Sequence, residues 1–108
     1  MFTPVKLDKT RNVMLGFQAL RLFKKVTGKS LMKVDFQNED VEDLIPTIFY
    51  VGMVHEDKEL TLEKTIELID EHLGIKGAME ILPKILEELA PEESIKNAPG
   101  AVKMKKSK

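Results

Sequence analysis

Apolar positions in this chain fall into one continuous run and three spaced series, and together they predict a mainly helical fold. The run is LIPTIFYVGMV, residues 44–54, with no charge in it. As a helix it reaches about 16 Å, well short of the roughly 30 Å bilayer core, so it is not a membrane span. Its large side chains (Leu44, Ile45, Ile48, Phe49, Val51, Met53 and Val54) point to every side, as in a helix buried all round. Residues 48–51 would also suit a buried strand. The acidic lead-in NEDVED, residues 38–43, decides for helix. It offers Asn38 as a cap and places negative charge where the helix dipole is positive. The expectation is a central helix over 39–55, kinked at Pro46, where the missing backbone donor costs roughly 3 kcal/mol.

The other series are arranged around it. Phe17, Leu20, Phe23 and Val26 recur at helical spacing, with Ala19 and Leu22 widening the stripe. Lys24 and Lys25 suit the last turn, and Gly28 is a left-handed stop. Residues 29–36 connect this helix to the central one, with Leu31, Met32 and Val34 as anchors. Thr61 caps the next helix, with Glu63 in its first turn. Leu62, Ile66, Ile69 and Leu73 form its apolar line, while Glu63, Glu67, Asp70 and Glu71 face water. Gly74 ends it. A last helix over 76–90 aligns Ala78, Leu82, Ile85 and Leu89, with Pro83 as a kink or as the start of a second turn-in. Ahead of all these, 3–15 mixes two signals. Val5-Lys6-Leu7 and Val13-Met14-Leu15 pair as a short hairpin around a turn at 8–12, or else Asn12 caps a helix starting at Val13. The fold expected is a small single-domain bundle of about four helices over 1–90, with or without that hairpin.

Composition changes the picture mainly through charge. With 108 residues, 43% of them apolar and 32% charged, the chain suits one soluble domain with a single core. It has no cysteine, which excludes a disulfide framework and thiol chemistry. No signal-peptide core follows Met1, so the expected location is the cytoplasm. The net charge of −1 conceals a segregation. Residues 1–34 hold eight Lys/Arg and one Asp, a net +7; residues 35–93 hold four Lys and seventeen Asp/Glu, a net −13; residues 94–108 hold five Lys, a net +5. Opposite charges should therefore meet inside the fold or between copies, giving a homo-oligomer, or else a basic end contacts nucleic acid or an acidic partner. The stretch 91–108 has few large apolar residues and a Lys-rich end, and is expected to be a disordered basic tail.

The motifs for chemistry are missing. His55-Glu56 lacks the second His that a zinc-protease helix needs, the other histidine (His72) is distant, and no Gly-rich phosphate loop occurs. The acidic residues lie on solvated faces, where no apolar pocket raises a pKa for acid catalysis. No catalytic, metal or cofactor residue is therefore assigned. A helix-turn-helix reading fails as well, because the helix over 62–73 carries four acids against Lys64 and phosphates would repel it. Binding is what remains. The apolar count exceeds what short helices easily hide, and Tyr50, Leu68, Ile81 and Leu86 compete for core places.

The string YVGMVHEDKELT at 50–61, followed by Glu63 and Ile69-Asp70, resembles the signature of phage tail assembly chaperones. These belong to long, non-contractile tailed phages and related prophages of Gram-positive bacteria. VKLDKTRN at 5–12, GFQAL at 16–20 and Thr27-Gly28-Lys29 are similar too, so the likeness spans about 5–89. It implies a small, mostly helical, non-enzymatic factor without a cofactor. Such a factor binds the aggregation-prone tape-measure protein, keeps it soluble, gives way to tail-tube subunits and is absent from the virion. It also implies a longer frameshifted form that contacts the major tail-tube protein, with Lys105-Lys106 compatible with an A-rich slippery site. The family supplies no residue-level site. Leu68, Met79 and Leu86, off the main stripes of the last two helices, are the partner-binding candidates. The alternative is a small helical regulator that binds nucleic acid through its basic ends.

Overall fold

The computed structural model describes residues 2–35, 37–38, 40–87 and 89. The expected disordered tail lies outside the described residues, and the last helix, expected to reach Ala90, ends already at Leu86 with Glu87 as its C-cap. Within them the order is β1 (Thr3–Lys6), β2 (Thr10–Val13), α1 (Phe17–Thr27), a 3-10 turn (Leu31–Lys33), α2 (Val41–Met53), α3 (Leu62–His72) and α4 (Gly74–Leu86). The fold is mainly helical with four helices, and the N-terminal hairpin is present.

α2 is the hub. It packs against β2, α1, α3 and α4, and Leu44, Ile45, Thr47, Ile48, Phe49, Val51, Gly52 and Met53 are all buried on it. That all-round burial follows from a segment with apolar residues on every side. Its start differs from expectation. Asp40 occupies the N-cap position, while the Asn38 amide bonds the Asp35 carboxylate instead. Glu42 and Asp43 supply the negative first turn. The helix runs through Pro46, and α4 runs through Pro83. The carbonyls that lose their helical partners belong to Glu42 and Met79, both at exposed positions.

The hairpin is antiparallel, with Thr3 opposite Val13 and Val5 opposite Arg11. Its second strand is Thr10–Val13, earlier than the expected 13–15, because the turn takes only residues 7–9 and Leu7 N donates to Lys9 O (3.0 Å). Alternation then sends Val5, Leu7, Arg11 and Val13 inward.

The expected stop of α1 and the expected cap of α3 are present, but the buried faces of these two helices are rotated from expectation. Gly28 stops α1 at φ 79°, accepting the left-handed geometry that a Cβ disfavours. On α1 the buried residues are Ala19 and Phe23, while Phe17 is 86% exposed and Val26 is also exposed. Thr61 caps α3, its hydroxyl accepting from Lys64 N (3.0 Å). The buried face of α3 is Thr65, Leu68 and Ile69, and Ile66 lies at the surface. Thr65 tolerates burial because its hydroxyl donates to Thr61 O (2.8 Å), and Thr47 does the same to Asp43 O (2.8 Å). Of the expected connector anchors, Leu31 is buried and Val34 packs on the core, but Met32 is exposed. Gly74, at φ 72°, begins α4 two residues earlier than expected.

Candidate functional site

The resemblance-bearing string builds a latch between the end of α2 and the hairpin. At Gly52 the helix touches the hairpin so closely that an added Cβ would collide with Val13 Cγ1, and Gly52 O accepts from Met14 N (2.8 Å). The next residues bind β2 in succession. His55 Nε2 donates to Asn12 O (2.8 Å), which places the ring proton on that nitrogen. Glu56 accepts from Asn12 twice, from the backbone N (3.1 Å) and from Nδ2 (2.8 Å). Asp57 accepts from Arg11 Nη1 (3.2 Å). Leu60 then turns inward and is buried, its N–H donating to Asp57 O (3.0 Å).

Arg11 is the centre of the latch. It is only 5% exposed, yet it carries a charge, and it is held from two sides. Its Nε and Nη2 grip both oxygens of Asp8 at 2.9 and 3.0 Å, a fork-to-fork pair, while Nη1 reaches Asp57. The Arg11 bonds hold the Asp8 carboxyl down at about 2, against an ordinary 3.8. The Asn12 bonds, backbone first, lower the Glu56 pKa as well. In return the Asp8 carboxylate raises the pKa of Arg11. These groups are anchored to one another rather than aimed at a reacting centre. The arrangement is suited to fastening.

Among the described residues no group of three or more His, Asp or Glu could hold a metal ion, and no helix is long and apolar enough to cross a membrane. A half-open cleft of about 250 Å³ separates α1 from the start of α2. Phe23, Val34 and Leu44 line it together with Lys29, Asp40 and Asp43. It falls below the usual size of small-molecule pockets.

The most exposed large apolar side chains of the helices lie on α4 and α1. Of the three candidates, Leu68 is corrected: it is 2% exposed, facing the core from α3, and offers nothing to a partner. Met79 is 49% exposed, and Leu86 is half-buried against the core. Reading the last helix from Lys76 conceals its most prominent apolar residue. With α4 starting at Gly74, Ile75 joins the helix and is 74% exposed. Ile75, Met79, Leu82 and Leu86 then follow i, i+4, i+7, i+11, a ridge along one edge of α4. Tyr50 and Ile81, which compete for core places by sequence, pack against the core as partly buried residues. α1 presents a different surface, in which Phe17, Arg21 and Lys24 are in line, flanked by Gln18 and Lys25, all exposed.

Comparison with known protein families, with curated proteins and with solved structures finds no match to this chain.

Proposed function

We propose that this protein is a phage tail assembly chaperone that holds the tape-measure protein in soluble form through the apolar ridge of α4. One observation carries the reading: Ile75 and Met79, one turn apart on α4, are exposed, and Leu82 and Leu86 continue their line half-buried. A ridge at this spacing fits the apolar seam of a long helix, the structure expected of a tape measure. Its small area suits a holdase, because tail-tube subunits with a larger contact displace it by mass action. The latch supports the reading from the other side. The residues that carry the resemblance hold the hairpin on α2 and are thus taken up by the fold itself.

In this reading the protein works in the host cytoplasm without a cofactor, catalyses no reaction and is left out of the virion. A longer form, extended by frameshifting near Lys105-Lys106, contacts the major tail-tube protein. The test is co-expression with the long helical protein encoded just downstream. The expected result is that this neighbour stays soluble only with the chaperone and co-purifies with it; a neighbour that precipitates regardless contradicts the reading.

A second reading, a small regulator on nucleic acid, draws on Phe17 beside Arg21, Lys24 and Lys25. It requires duplex-DNA binding that weakens steeply with salt.

A further inference from the structure

The α4 ridge has a regular spacing. Ile75, Met79, Leu82 and Leu86 are separated by four, three and four residues, the d, a, d and a positions of a coiled-coil seam. The two flanks of that seam differ. On one side Ala78 and Ile85 take the g positions, and both are buried, so the fold itself closes that flank. On the other side Lys76 and Pro83 take the e positions, and both are exposed. A helix laid on the seam therefore meets one charge at its open edge, the Lys76 ammonium. Among the described residues Lys76 forms no ion pair, although Glu80 stands one turn away. Its position is also unfavourable within its own helix, because it stands in the first turn, at the positive end of the dipole. No acid occupies that turn, and Leu73 at the N-cap supplies no side-chain bond to it.

We propose that the α4 seam takes a helix of heptad pattern with a carboxylate beside Lys76, and that Lys76 thereby selects acid-flanked helices among the amphipathic ones. The identity of that helix rests on the chaperone reading; its chemistry is set by α4. The apolar contact alone is permissive, because any amphipathic helix offers a stripe to a seam about 16 Å long. Selection comes from the edge. Charged e and g residues set partner choice in coiled coils, and here the buried g side leaves that choice to Lys76. A carboxylate at this point meets the ammonium and the positive end of the α4 dipole together. A lysine or arginine is repelled by both, and a glutamine gains from neither. Pro83, one heptad further on, adds no charge. The selection therefore acts at the start of the ridge, beside Ile75, its most exposed side chain. In a parallel partner the carboxylate comes from a g position, and in an antiparallel one from an e position.

The test uses two helical peptides with Leu at every a and d position, one with Glu and the other with Gln at every e and g. Each carries a fluorophore and is held at about 10 nM, so that it does not pair with itself, while the full chain is titrated to about 1 mM and anisotropy is read. At about 20 mM salt, wild type should bind the Glu peptide about two- to fivefold more tightly than the Gln peptide, the range of one exposed ion pair. Lys76→Gln should equalise the two by weakening the Glu peptide alone, and Lys76→Glu should reverse their order. At about 1 M salt the preference should vanish while the Gln peptide still binds. Ile75→Glu/Met79→Glu should weaken both peptides about tenfold or more. Circular dichroism checks that each variant is folded. Four results overturn the proposal: no binding of either peptide, no preference for Glu in wild type, a preference that survives in folded Lys76→Gln, or Glu-peptide binding that Ile75→Glu/Met79→Glu leaves intact. The peptides contain nothing of the neighbour used in co-expression, so the two readings fail separately. A neighbour that precipitates beside wild type sinks the chaperone reading and leaves the peptides to decide the role of Lys76; a missing preference sinks that role and leaves the chaperone reading to co-expression.

Discussion

Arg11 is the side chain on which the hairpin's attachment depends. It sits opposite Val5 on the inward side of the strands, where a charge is tolerable only because two carboxylates meet it. Asp8 and Asp57 keep roughly a third or more of their own surface in water, so the triad is less than a fully buried pair. Arg11→Met should therefore destabilise by about 1.5–3 kcal/mol, the range for charged hydrogen bonds, rather than the roughly 3–5 of a wholly buried pair. A fall in the urea midpoint at unchanged slope would show it. Acid should act through the same atoms. The Asp8 carboxyl is depressed to about 2 and the Glu56 pKa is lowered, so both contribute stability above their unfolded values near 4. That contribution is lost as the pH falls from about 4.5 towards 2, and Asp8→Asn should flatten this part of the stability profile. Gly52 tests the close approach. Gly52→Ala gains helix propensity of about 1 kcal/mol but forces a methyl onto Val13, a stiff, fully buried side chain, for a penalty of about 1–3 kcal/mol. The single variant should be less stable than wild type, and adding Val13→Ala should relieve the clash, a coupling that a double-mutant cycle measures. Sequence marked the string 50–61 as special without showing why. Its polar residues resemble a solvated loop until the fold brings Arg11 and Asn12 beside them.

At the scale of elements, the ends of the helices could be read from sequence better than their faces. Gly28 and Thr61 act locally, through backbone conformation and a hydroxyl three residues from its donor, so composition alone reveals them. Thr61→Ala should cost about 1 kcal/mol, read as a lower thermal midpoint with the same fold. Burial is set by neighbours, and there periodicity falls short. An apolar stripe defines an arc, but its centre depends on what the partner helix accepts. On α3 the centre shifts to Thr65 and Leu68, because a threonine that bonds its own helix passes for an apolar residue. On α1 it shifts to Ala19 and Phe23, leaving the large Phe17 in water. The same shift takes Leu68 from the candidate site into the core. The start of α4 is the other loss. Gly74 reads as a stop after α3, yet its left-handed φ also opens α4, and that brings Ile75 onto the ridge.

For the whole molecule, one hub helix carries everything else, and the two surfaces that remain differ in kind. The apolar run at 44–54 announces the hub directly, since no other segment could be buried on all sides. Surfaces were harder to read, because each is defined by what the core leaves uncovered. The α4 ridge is apolar and the α1 face is basic, so salt should separate their effects. High salt screens α1 and leaves the ridge able to bind. Ile75→Glu/Met79→Glu places two charges on exposed positions and should change stability by no more than about 0.5 kcal/mol. The most direct measurement is the soluble fraction of the long helical protein proposed as the partner, co-expressed with wild type and with this variant, each confirmed folded by its thermal melt. The account predicts a partner that is soluble with wild type and precipitates with the folded variant; equal solubility with both would contradict the α4 ridge as the partner site.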